Sequence, residues 1–197
     1  QSLWQILPLN GVGAGNSPYA STSAFAGNLL LVDLQELQQQ GWLAEHEVAP
    51  TPGLLAQRVA YDEVLPYRMQ RLGWAAERFF ALPPDNPARQ RFTQFCERHA
   101  VWLDDYALFM ALDETFAPGD WCHWPSALAR RERAALDEAS TRHATRIGFW
   151  KFGQWCFNRQ WLQLRRYANQ HGVRIVGDVP IFVAHHSADV WAHQALF

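Results

Sequence analysis

Val173-Arg-Ile-Val-Gly-Asp-Val-Pro-Ile-Phe-Val183 is an apolar, β-branched run with one carboxylate, Asp178, set inside it. It reads as a buried strand. A carboxylate buried in such a run must be paired, hydrogen-bonded or used. Directly upstream, a long aromatic-rich helical pattern stops at His171-Gly172, where glycine suits a left-handed cap and the turn into a strand. Together these are the second half of a β-α-β unit. The matching first strand is the apolar run Ser2-Leu-Trp-Gln-Ile-Leu-Pro-Leu9, so two neighbouring parallel strands with a very long connection are expected.

With 197 residues, 49% hydrophobic and 18% charged, the chain can bury a core and is no disordered polymer. A formal net charge of −2 offers no basic field for a phosphate backbone, which argues against nucleic acid as a partner. Ten Trp and twelve Phe supply core filling and also flat faces on which sugar rings can stack. Cys96, Cys122 and Cys156 are odd in number and widely spaced, which suggests neither a disulfide framework nor a zinc knuckle and fits a reducing, cytoplasmic setting. No apolar run approaches the roughly 18 residues of a membrane span, and no signal peptide stands at the start. Gln1 directly precedes a strand and Phe197 falls inside a helical pattern, so both ends look cut.

After the first strand comes Asn10-Gly-Val-Gly-Ala-Gly-Asn-Ser-Pro-Tyr19, a loop whose glycines allow sharp bends and close approach to a ligand. Gly11, Gly13 and Gly15 match neither nucleotide-binding spacing. Leu34 to Gly41 is a short helix with a glycine stop, and Pro50 and Pro52 mark a loop. Tyr61 to Leu82, broken by Pro66, and Pro87 to Leu112 follow as helices, the second with a core-facing stripe through Phe92, Phe95, Trp102 and Tyr106. Asp104 and Asp105 read as solvated or paired. Ser126 caps a helix to about Ser140. Arg142 to Gln170 is the crossover helix, with one seam through Trp150, Phe157, Trp161, Leu164 and Ala168 and a second through Phe149, Phe152 and Cys156. A plain crossover needs only a few tens of residues, so the stretch from about 34 to 140 is a helical insertion. His185, His186, Asp189 and His193 offer metal-ligand chemistry, but adjacent His185 and His186 point apart. Ser187 with Ala-Asp-Val-Trp makes an ordinary N-cap, and no metal is assigned.

Ligands bind at the carboxyl ends of strands in parallel sheets. Tyr19 follows the first strand and Asp178 lies late in the second, so the two are expected to face one cleft. A carboxylate beside aromatic rings is how proteins hold polyhydroxylated sugars. A packed loop tyrosine and a purely structural Asp178 remain open on these grounds alone.

The residues also carry a family resemblance. Trp4-Gln-Ile-Leu-Pro-Leu9, Gly15-Asn-Ser-Pro-Tyr-Ala-Ser21, Ser23-Ala-Phe-Ala-Gly-Asn28, Asp105-Tyr-Ala-Leu-Phe-Met-Ala-Leu112, Gln160-Trp161, Gly177-Asp-Val-Pro-Ile-Phe-Val-Ala184 and Ser187-Ala-Asp-Val-Trp191 resemble the 4-α-glucanotransferases known as amylomaltase or disproportionating enzyme, glycoside hydrolase family 77. The motifs run in the same order from end to end, over well under half of such an enzyme. The resemblance implies an α/β fold: a partial (β/α)8 TIM barrel of about two parallel strands with a large, mainly helical insertion. Residues 1–33 would be a barrel strand and active-site loop, 34–140 the insertion, and 141–197 the crossover helix, strand and following helix start.

The implied activity is transfer of α-1,4-glucan segments between maltooligosaccharides, with retention through a glycosyl-aspartate and with no metal or organic cofactor. Tyr19 would match the family's active-site tyrosine, Ser17 its loop neighbour, and Asp178 the carboxylate that orders the site around the reacting sugar. The family's nucleophilic Asp, acid/base Glu and stabilising Asp fall beyond the residues matched, so no catalytic residue is assigned and the rest of the enzyme chain is an expected partner. The segment alone is expected to be inactive. Three positions depart from the family pattern: Ala14 stands where many members have Tyr, Asn16 replaces an acid, and His186 replaces an Asp, which removes a helix N-terminal acid and one local hydrogen bond. The alternatives are a non-catalytic glucan-binding module and a helical interaction protein.

Overall fold

The computed structural model describes residues 2–49 and 59–197. In chain order it contains strand β1 (Leu3–Gln5) and helices α1 (Leu34–Gln39), α2 (Glu45–Val48), α3 (Tyr61–Phe80), α4 (Pro87–Phe116), α5 (Ser126–Ala129), α6 (Arg133–Arg142) and α7 (Ala144–Gln170). Strand β2 (Arg174–Val176) and helix α8 (Ala188–Ala192) complete it. The expected loop at Pro50 and Pro52 lies outside the described residues. No helix among those described is long and apolar enough to cross a membrane.

β1 and β2 pair in parallel with Leu3 opposite Arg174, Trp4 opposite Ile175 and Gln5 opposite Val176. The backbone bonds Arg174 N to Ser2 O at 2.9 Å and Ile6 N to Val176 O at 3.0 Å extend the ladder at both ends. The chain passes from α7 into β2 through Gly172, whose φ of 73° is the left-handed conformation that glycine alone adopts without strain. The expected β-α-β pairing is therefore present. Both strands are shorter than expected. Pro8 cannot donate to a ladder, and Gly177 and Pro180 end the second run, leaving Val179, Ile181 and Phe182 exposed rather than buried.

The helical mass is held together by aromatic rings. Phe79 of α3 meets Trp42 at 5.1 Å, Phe152 at 4.9 Å and Trp155 at 5.1 Å between ring centroids. A second cluster joins Phe109 to Trp124 at 5.3 Å and Trp124 to Trp191 at 5.8 Å. Edge-to-face and tilted pairs at these separations contribute about 0.5–1.5 kcal/mol each beyond the area they bury.

Three helix readings change. α3 runs through Pro66 unbroken, because Pro66 and Asp62, whose carbonyl loses its partner, are both exposed to water. α4 continues to Phe116, starting from Asn86, whose side chain accepts the Ala88 N–H at 2.8 Å. The helix expected from Ser126 to Ser140 is split into α5 and α6, and Ser126 is its first residue rather than its cap. Arg131 turns the chain there with φ of 58°. Its guanidinium bonds Asp105 at 2.5 Å and lies 4.2 Å from the Trp191 ring centre, tertiary contacts that override local helix preference. Asp105 and Asp104 are both paired, the latter with Lys151 at 2.5 Å.

Candidate functional site

The loop after β1 is built as a fixed strap. Asn10 Nδ2 donates to Ser23 O at 3.0 Å and Ala24 O at 2.8 Å, while Ser23 Oγ accepts the Phe25 and Ala26 N–H groups at 3.1 and 3.3 Å. Gly13 allows a close crossing, since a Cβ there would fall 1.6 Å from Ala20 O. Gly27 lies against Phe157 so closely that a Cβ would meet its ring at 2.1 Å. Two glutamines of α7 then hold the strap from below. Gln154, 2% exposed, accepts the Gly27 N–H at 2.8 Å and donates to Gly27 O at 2.9 Å. Gln160 grips Asp33 the same way, at 2.7 and 3.1 Å. On the far side Asp189 of α8 accepts the Ala24 N–H at 2.8 Å.

This strap presents Tyr19. Ser17 Oγ accepts the Tyr19 N–H at 3.3 Å, and Pro18 starts the single 3₁₀ turn that carries the ring. The Tyr19 hydroxyl donates to Asp178 Oδ2 at 2.6 Å, across 159 positions of sequence. Asp178 Oδ1 accepts the N–H of Val179 at 2.8 Å. The hydrogen bond to Asp178 raises the Tyr19 phenol above its ordinary range, with desolvation and the carboxylate's charge adding to it, so the hydroxyl stays protonated and donating. The sequence placed these two side chains in one cleft, and the fold brings them into contact.

Asp178 differs from expectation in its setting. It is exposed, one residue past Gly177 and two past the end of β2, rather than enclosed in a strand. Each carboxylate oxygen keeps a lone pair after its contact with Tyr19 or Val179, and the Tyr19 ring is 46% exposed. That combination can accept hydroxyl protons and stack on a sugar face. A groove of about 880 Å³ between β1 and α7, lined by Trp4, Ile6, Phe157, Trp161 and Tyr167 among others, includes none of Ser17, Tyr19 or Asp178.

The four-residue set His185, His186, Asp189 and His193 is dispersed, since Asp189 faces Ala24 and His186 faces the α4 side. His186 Nε2 donates to Asp113 Oδ1 at 2.7 Å, and its Nδ1 accepts the Trp121 N–H at 3.2 Å. Instead of losing a bond at this position, the chain gains a bridge from the loop after β2 to α4. Asp189 supplies the acidic first turn of α8, capped by Ser187 Oγ on the Val190 N–H at 3.2 Å. Asn16 has φ of 58°, a conformation Asn tolerates better than an ordinary residue. Ala14 is exposed on the same turn. Sequence reasoning missed the Gln154 and Gln160 clamps; the signal was an amide, Gln154, standing inside the apolar Phe152 to Cys156 seam.

The 4-alpha-glucanotransferase family profile matches residues 1–197. The chain is 44% identical over 194 residues to the 4-alpha-glucanotransferase of Thermus thermophilus, a match covering 98% of this chain and 38% of that protein. It is 41% identical over 197 residues to the 4-alpha-glucanotransferase of a Synechocystis species, covering all of this chain and 39% of the relative. In three dimensions it superposes on the amylomaltase from Streptococcus agalactiae in complex with acarbose with a TM-score of 0.91 at 33% identity, over 100% of this chain and 39% of that one. The chain thus spans about 39% of the length of the relatives it matches.

Proposed function

This chain belongs to the 4-alpha-glucanotransferase family, and from that premise we propose that it supplies the sugar-positioning part of an enzyme that moves α-1,4-glucan segments between maltooligosaccharides by a retaining mechanism. The observation that carries this reading is the 2.6 Å hydrogen bond between Tyr19 and Asp178, at the carboxyl ends of two adjacent parallel strands. Asp178 accepts hydroxyls of the reacting sugar, Tyr19 stacks on it and steers the carboxylate, and Ser17 fixes the turn that aims Tyr19. The similarity to a structure bound to acarbose supports a glucan-type ligand here.

In this reading β1 and β2 are neighbouring strands of a (β/α)8 barrel. The parallel register and the long helical connection support it, with 1–33 as strand and site loop, 34–140 as the insertion, and 141–197 as crossover helix, second strand and following helix. The nucleophilic and acid/base carboxylates belong to the rest of the enzyme chain. Retaining glycosyl transfer with two carboxyl groups needs no metal or organic cofactor for its chemistry. The test is glucose release when the purified protein carrying this chain is incubated with maltotriose. Longer maltooligosaccharides and free glucose should appear together; maltotriose left intact would overturn the proposal.

A further inference from the structure

Where the fold disperses one set of ligands it assembles another. A carboxylate oxygen of Asp120, the Sγ of Cys122 and an imidazole nitrogen of His185 lie within 4.8 Å of one another. Two of these donors come from the turn between α4 and α5, and the third comes from 65 positions later, on the loop after β2. Trp121, between the first two, holds the second segment in place. Its indole N–H donates to His185 O at 2.8 Å, its ring stacks on the His185 imidazole at 5.4 Å and 21°, and its backbone N–H donates to His186. The imidazole is thereby aimed at the turn, its Nδ1 3.4 Å from Asp120 Oδ2. The other Asp120 oxygen lies 3.2 Å from His186 Nδ1.

The chemistry of this set is selective. A thiolate and an imidazole exclude calcium and magnesium, which take oxygen ligands, and suit a tetrahedral zinc ion with one carboxylate. Zinc bonds of about 2.0–2.3 Å place neighbouring ligand atoms about 3.3–3.8 Å apart, so a group already within 4.8 Å closes with side-chain shifts on the order of 1 Å. Cys122 and His185 are exposed, which gives the ion an entry path and leaves its fourth position to water.

We propose that Asp120, Cys122 and His185 bind a zinc ion that fastens the loop carrying Asp178 to the turn between α4 and α5. The ion's role is to tie two segments together, at a place separate from the Tyr19 and Asp178 pair. Cobalt(II) reports such ligands directly. Chelator-treated protein titrated with Co²⁺ should develop tetrahedral visible bands and a near-ultraviolet thiolate-to-metal band at one equivalent, and Zn²⁺ should bleach both. Cys122→Ser should remove the thiolate band, and His185→Gln should weaken zinc binding by at least about tenfold. Zinc alone should raise the melting temperature of the wild type and leave that of Cys122→Ser unmoved. Absence of a thiolate band, or zinc affinity unchanged in both variants, would overturn the site.

Discussion

Phe79 and Tyr19 sit at opposite extremes of this chain. Phe79 is fully buried, with Trp42, Phe80, Phe92, Phe152 and Trp155 all within 5.4 Å between ring centres. Tyr19 is 46% exposed and anchored by one hydrogen bond from its hydroxyl, to Asp178. The helical mass supplies stability, and in the proposed function the strap after β1 presents the side chains that meet the sugar. The two meet at α7, whose apolar face packs into the core while Gln154 and Gln160 hold the strap. Substitutions should therefore separate into those that unfold the chain and those that disarm it.

Phe79→Ala tests the first half and should have the largest effect on stability, a loss of about 3–5 kcal/mol in denaturant unfolding. A loss below about 1 kcal/mol would mean that the core is not organised around this ring. Gln154→Ala comes next, at about 1–3 kcal/mol, because it strands the backbone N–H and C=O of Gly27 in a buried place. It is also the one substitution expected to harm both regions, lowering maltooligosaccharide affinity as the strap loosens.

A smaller effect belongs to Glu47, which takes Arg78 in a forked pair at 2.5 and 2.7 Å and accepts the Ala44 N–H at 2.7 Å. The Arg78 hydrogen bonds, with the Ala44 N–H behind them, hold its carboxyl at about 2. Because the folded value lies below the ordinary one of 4.5, the stabilisation is complete above that pH and drains away as pH falls toward about 2. Arg78 is 43% exposed, so water screens the pair, and Glu47→Gln should cost no more than about 1 kcal/mol at neutral pH while flattening the acid limb of stability against pH. Tyr19→Phe should change stability least, leaving the melting temperature close to that of the wild type, because the side chain is exposed. It should still weaken maltooligosaccharide binding on the order of tenfold by calorimetry, because the Asp178 carboxylate loses the hydroxyl that holds it in place for the sugar.

The same contrast explains what could be read from the sequence. Gly172 and the β-branched run after it are local signals, and together with the apolar run up to Leu9 they indicate the pairing of β2 with β1. The meeting of Tyr19 with Asp178 followed from one topological rule applied to that pairing. Exposure was not legible in the same way: Val179, Ile181 and Phe182 have the composition of a buried strand, and burial depends on what covers a side chain rather than on what it is. Arg131 sits in a helical pattern and breaks it, because Asp105 and Trp191 reach it from elsewhere in the fold. His186 looked like the loss of a capping acid, and its bridge to Asp113 depends on α4 passing beside it, which no local window contains.

The most direct measurement is the rate of glucose release from maltotriose by the protein carrying Asp178→Asn, with its melting temperature recorded on the same sample. The account predicts a fall in rate of at least about a hundredfold, equal to about 2.7 kcal/mol of lost transition-state stabilisation, with melting unchanged. A variant as active as the wild type, or one whose activity falls only because it unfolds, would contradict the assignment of Asp178 as the carboxylate that holds the reacting sugar.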